Sequence, residues 1–202
     1  MNIPKTLIVM GRSGSGKGTQ INLLKEAFRK ETSSEEEIFH FEPGNIFRSM
    51  AQSGSYSSQK IKETIEAGNL VPDFITNGLF VESLISNITS NEQLLVFDGY
   101  PRSVNQAEML DKMINFYQRE DAVVIHVKVS EEEIRKRLVE RGRKDDADDA
   151  LETRISFYNE SVLPTIGWYE NNPRYTVITI NGEGDIDGIQ KEMVEKLKTC
   201  HG

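Results

Sequence analysis

Five short β-type runs, Thr6 to Met10, Glu37 to Phe41, Leu94 to Phe97, Val123 to Val129 and Tyr175 to Ile180, recur along this chain with helical patterns between them. The runs are continuous rather than alternating, which is the pattern of strands covered on both faces. Between them, Ile21, Leu24 and Phe28 keep helical spacing, as do Leu110, Met113 and Tyr117, and the terminal set Ile186, Ile189, Met193 and Leu197. The expected fold is therefore α/β, a five-stranded parallel sheet with helices on both faces. At 202 residues, with no internal repeat or low-complexity linker, residues 1–202 are expected to form one domain. Two stretches break the β/α rhythm: 42–71, whose Lys60 to Glu66 part reads as a polar helix, and Arg141 to Asp149, whose only apolar residue is Ala147.

Composition narrows the function classes. With 37% hydrophobic and 28% charged residues the chain can bury a real core, and no uninterrupted apolar run exceeds four residues, so no membrane span is expected. The 24 Lys+Arg against 32 Asp+Glu leave a net charge of −8, which argues against duplex nucleic acid as a partner. A small anion remains a candidate ligand if positive charge is locally concentrated. Met1 to Lys5 carries no secretory pattern and the single Cys200 cannot form an internal disulfide, so the expected compartment is the cytoplasm.

That concentration begins at Gly11-Arg12-Ser13-Gly14-Ser15-Gly16-Lys17-Gly18-Thr19, which follows the first run and opens the first helical pattern. It satisfies G-x-x-x-x-G-K, with Gly18 where Ser or Thr is usual. Glycines let consecutive backbone N–H groups converge on one anion, the helix N-terminus adds its dipole, and Lys17 adds a full charge. The run Leu94 to Phe97 ends in Asp98-Gly99, placing Asp98 at the carboxyl end of a strand on the same sheet edge, where it can hold Mg²⁺. Arg137 and Arg141 lie four apart on the helix after Val129, a like-charged pair that costs about 0.2–0.5 kcal/mol on an isolated helix unless an anion offsets it. The alternative is a solvated helix in which Glu133 pairs with Arg137. Arg143 and Arg154 join the cluster if the charged tract folds back over the glycine loop, and Arg48 and Arg102 could clamp a second phosphate.

Together these residues resemble the nucleoside monophosphate kinases, and most of all the adenylate kinases, over nearly the whole chain. Gly11 to Gln20 is similar to that family's own Gly-Lys-Gly-Thr-Gln loop. Asp98-Gly99-Tyr100-Pro101-Arg102-Ser103-Val104-Asn105-Gln106-Ala107 resembles Asp-Gly-(Phe/Tyr)-Pro-Arg-(Thr/Ser)-x-x-Gln-Ala, and Gly68-Asn69-Leu70-Val71-Pro72-Asp73 resembles Gly-x-Leu-Val-x-Asp. Pro43-Gly44-Asn45-Ile46-Phe47-Arg48 stands where the family has Thr-Gly-Asp-x-x-Arg; Arg48 carries over, Pro43 and Asn45 do not. The stretch Ile180 to Gly184 is similar to the backbone that touches the ATP base.

The resemblance implies a P-loop kinase fold with an acceptor-binding insertion at 42–71 and a short lid at 141–150. It implies ATP held by Gly14, Ser15, Gly16, Lys17, Gly18, Thr19, Arg137, Arg141 and Gly184. AMP would meet Pro43, Arg48, Asn69, Leu70, Val71, Gly99, Tyr100, Pro101, Arg102, Gln106, Arg143 and Arg154. Lys17, Arg102, Arg141, Arg143 and Arg154 would be catalytic, with Asp98 at the Mg²⁺ that travels with ATP. The tract between Arg141 and Arg154 is shorter than in short-lid members and lacks a cysteine cluster, so no zinc is expected, while some ATP hydrolysis without acceptor is. The expected partners are ATP and AMP, with no nucleic acid or membrane, and the chain is expected to be a monomer. Two alternatives stay open at this point: a kinase for UMP, CMP or another monophosphate, and a nucleotide-binding regulator without turnover.

Overall fold

A computed structural model describes residues 3–32, 38–119, 121–142 and 148–200. Five strands, β1 (Thr6–Gly11), β2 (Ile38–Phe41), β3 (Leu94–Asp98), β4 (Ala122–Lys128) and β5 (Thr176–Asn181), form one sheet in the order β2-β3-β1-β4-β5. Every pairing is parallel. The expected α/β architecture is present, with strand ends offset from the sequence reading by a residue or so, as is usual where fraying and local turns decide the last hydrogen bond.

Nine α-helices connect the described strands: α1 (Lys17–Thr32), α2 (Pro43–Met50), α3 (Tyr56–Glu66), α4 (Asp73–Asn87), α5 (Val104–Phe116), α6 (Glu131–Arg141), α7 (Asp148–Phe157), α8 (Leu163–Glu170) and α9 (Ile186–Thr199). A π-helical turn, Tyr158–Val162, joins α7 to α8. The continuous apolar strands explain two cores. Ile8, Met10, Leu95, Phe97 and Val124 point to one face, under α4, α5 and α8. Leu7, Val9, Leu94, Val96, Val123 and Ile125 point to the other, under α1 and α9. Alternate residues of one strand thus serve opposite cores, because successive side chains leave a strand on opposite sides.

Helix starts follow local chemistry. Ser55, Ser103, Ser130 and Asp185 cap α3, α5, α6 and α9, each accepting a backbone N–H three residues on. Gly142, at φ 59°, ends α6 in the left-handed conformation. Among the described residues no helix is long and apolar enough to cross a membrane.

Because β1 lies between β3 and β4, the loop after β1 and the end of β3 open onto the same edge, with Val9 in register with Asp98. That carboxyl edge is where open parallel sheets place their ligands.

Candidate active site

The glycine loop turns between β1 and α1 with Gly14 at φ 83° and Gly16 at φ 87°, conformations that side chains with a Cβ rarely adopt. The Lys17 ammonium curls back into it, donating to Gly11 O at 3.1 Å and Arg12 O at 2.8 Å, with Ser15 Oγ at 3.4 Å. Burial pushes the Lys17 amine down to about 8, Arg102 and Arg141 push in the same direction, and Asp98 opposes them. The loop is braced from below: the Arg12 guanidinium lies 4.2 Å from the centre of the Tyr158 ring, and Tyr158 Oη is 2.8 Å from His126 Nε2. Burial takes His126 down to about 4.

Asp98 is 8% exposed and closes β3 beside this loop. Its Oδ2 lies 3.9 Å from His40 Nε2, and a Glu42 oxygen completes a set whose members are all within 4.8 Å of one another. Two carboxylates so placed fit a hard divalent cation. The parallel pairing of β2 with β3 brings His40 to the site. Burial and the neighbouring Lys25 lower its basicity.

The arginines converge from separate elements. Arg141, at the end of α6, and Arg154, on α7, approach one hydroxyl, Ser13 Oγ of the glycine loop, at 3.5 and 3.4 Å. The cluster expected around the loop is therefore assembled, except for Arg143, which lies outside the described residues along with the rest of 143–147. Arg137 makes the Glu133 pair, its Nε donating to Glu133 Oε1 at 2.7 Å, and its guanidinium lies 4.0 Å from where a Cβ on Gly16 would stand. Thr19 and Gly18 are exposed at the start of α1. Gly184 follows β5 at the same edge, where its neighbour Glu183 accepts from Ser130 N at 2.6 Å.

Next to the loop opens a cleft of about 730 Å³, counting its mouth. Pro43, Arg48, Asn69, Leu70, Val71, Gly99, Arg102, Gln106 and Arg154 all line it, as does Ser13. Arg102 is held by its Nε donating to Gly99 O at 2.7 Å, and burial, with Arg154 and Arg48 nearby, lowers its basicity against the pull of Asp98. Arg48 pairs with Glu42 and Asn45 at the start of α2. Pro101 lines the adjoining recess with Arg12, and the Tyr100 side chain turns away into the core, packed on Phe41 and Phe80 with its Oη donating to Asn77 Oδ1 at 3.0 Å. Across the cleft, a Cβ on Gly68 would stand 2.4 Å from Ala150 O, so the 42–71 stretch meets the base of α7.

Sequence reasoning missed Ser13, Phe157 and Thr76, which also line the cleft. Ser13 carried a signal, its place inside the loop motif; the other two carried none.

A family model described as adenylate kinase matches residues 9–174. The chain belongs to the adenylate kinase family. It is 32% identical over 179 residues to an adenylate kinase of Oenococcus oeni, covering 89% of this chain and 91% of that protein. It is 32% identical over 197 residues to an adenylate kinase of Bacteroides thetaiotaomicron, covering 95% and 97%, and 34% identical over 191 residues to one of Corynebacterium diphtheriae, covering 95% and 98%. Membership of the adenylate kinase family makes the chain an enzyme, a phosphotransferase.

Proposed function

We propose that this chain catalyses reversible transfer of the terminal phosphoryl group of Mg²⁺·ATP to AMP, giving two ADP. The observation that carries this reading is Ser13, which belongs to the glycine loop, lines the neighbouring cleft and receives both Arg141 and Arg154. Two anion-binding sites sharing one wall, with guanidinium groups at the boundary, suit an in-line displacement between two phosphates. Residues 42–71 act as the acceptor-binding insertion and 141–150 as a short lid.

The donor phosphates sit in the glycine loop under Lys17, with Arg137 towards the ATP base. The acceptor phosphate is gripped by Arg102 and Arg48, and its base lies against Leu70, Val71 and Gln106. The acceptor oxygen is already ionised, so no general base is needed; Lys17, Arg141 and Arg154 stabilise charge on the moving group. Asp98, with Glu42 beside it, would hold the Mg²⁺ brought with ATP, which supplies further neutralisation of phosphate charge.

Incubation of the protein with Mg²⁺·ATP and, separately, AMP, GMP, UMP, CMP and dTMP is expected to give diphosphate fastest with AMP, beside a slower acceptor-free hydrolysis. ATP binding without diphosphate from any acceptor would defeat the proposal.

The depressed Lys17 also sets a pH dependence. Its charged form binds phosphate, is fully present below about 8 and is lost as pH rises through that value. The prediction is that kcat/KM for ATP, which reports the free enzyme, falls towards about tenfold per pH unit above 8, while kcat stays level further up because bound phosphates raise the amine again. A kcat/KM that is flat from pH 7 to about 9.5 would contradict it.

A further inference from the structure

Gln106 sits in the cleft with its side chain almost wholly buried, and both ends of its amide are spoken for. Its Oε1 accepts from Arg102 N–H at 2.8 Å, and its Nε2 donates to Asp73 Oδ1 at 2.7 Å. The other oxygen of Asp73 accepts from the Ser103 hydroxyl at 2.6 Å, and Ser103 Oγ in turn accepts from Gln106 N–H at 3.2 Å. Asp73 opens α4 and Ser103 caps α5, so the first turns of two helices meet in one closed set of hydrogen bonds.

An amide of this kind could face the cleft either way round. A backbone N–H can only donate and a carboxylate can only accept, so together they allow one orientation. Rotating the amide by half a turn would set Oε1 against the Asp73 carboxylate and Nε2 against the Arg102 N–H. Each end keeps one unused capacity, a lone pair on Oε1 and a hydrogen on Nε2. That ordered pair complements the 6-amino donor and N1 acceptor of adenine and opposes the 6-oxo acceptor and N1–H donor of hypoxanthine or guanine.

We propose that Asp73 is a specificity-determining positioning residue, which, by fixing the Gln106 amide, makes the acceptor site select a 6-aminopurine monophosphate over a 6-oxopurine one. This rests on the acceptor reading of the cleft given above. Asp73 touches no substrate and acts through Gln106. Ser103 holds the carboxylate in place.

The test compares AMP with inosine 5′-monophosphate, which differs only at the edge in question. Binding of each to the wild type and to Asp73→Asn is measured by calorimetry, with steady-state kinetics alongside. An asparagine can donate as well as accept, so of the two restraints on the Gln106 amide only the Arg102 N–H remains. The wild type is expected to prefer AMP by about 100-fold or more, and Asp73→Asn to lose at least about tenfold of that preference, because an amide held by the Arg102 N–H alone turns at a smaller cost and penalises the 6-oxo edge less. The KM for ATP should stay within about twofold, since the donor loop is untouched. Asp73→Ser, whose hydroxyl also donates and accepts and suits a helix start, gives the same readout if the Asn chain does not fold. An unchanged preference overturns the proposal, as does equal weakening of both ligands, which would mark a merely structural role. A wild type that binds neither monophosphate refutes the acceptor reading itself, and is told apart from failure of the Asp73 role by that result alone.

Discussion

Lys17→Met is expected to lower phosphoryl transfer at least about 10³-fold while leaving the chain folded. The glycine loop folds around this ammonium, which is held by Gly11 O, Arg12 O and Ser15 Oγ. Its charge is kept at a cost: burial drives the amine down to about 8, because desolvation disfavours the charged form. A site that holds a charge in this condition is arranged for an anion to arrive. Methionine matches the length of the stem and removes only the charge and the hydrogen bonds. The two carbonyls it leaves unpaired belong to residues that are only partly buried, Gly11 and Arg12, so the thermal midpoint should move by only a few degrees. Initial rates of ADP formation and a melting curve on the same preparation decide the matter. Turnover within about tenfold of wild type would show that the loop is a structural turn rather than the donor site.

Arg102→Lys keeps the charge and tests geometry. The expected result is a fall of about 10²- to 10³-fold in kcat/KM for AMP, with the KM for ATP within about twofold. Arg102 reaches the cleft through a fixed path, its Nε donating to Gly99 O and its backbone N–H to Gln106 Oε1, so the fork of the guanidinium is already aimed. A lysine amine in that buried place, desolvated and with Arg154 and Arg48 set against Asp98 and Glu42, would tend to lose its proton. It would also offer no paired donors to a phosphate. Steady-state kinetics with each substrate varied in turn separate the two sides of the reaction. Equal losses for ATP and AMP would place Arg102 between the sites, and no loss for AMP would remove it from the acceptor grip.

Much of this site was legible before any coordinates. The glycine loop, Lys17, Asp98 and the run from Gly99 to Gln106 are contiguous stretches, and their geometry follows from a strand, a turn and a helix start. The two apolar cores were legible for the same reason, since continuous strands such as Leu94 to Phe97 have both faces to cover. The Arg137 helix was read as either a phosphate contact or a Glu133 pair; the pair is present, with the guanidinium beside Gly16 of the glycine loop. The place of His40 beside Asp98 was not legible, because nothing near it in the chain carries the chemistry that surrounds it in space. α4 was not read at all: Phe74, Val81 and Ile85 face outward along it, and so blur its apolar stripe.

What the sequence determined by itself was therefore the local chemistry: which segments become strands, which turn can bind phosphate, and which side chains carry charge at the sheet edge. What only the tertiary structure decided was convergence. Arg141 and Arg154 meet at Ser13, and Asp73 reaches Gln106 across 33 positions of chain. Spacing along a helix or strand sets neighbours only within a turn or two, whereas these contacts depend on the strand order β2-β3-β1-β4-β5, which draws distant segments to one carboxyl edge.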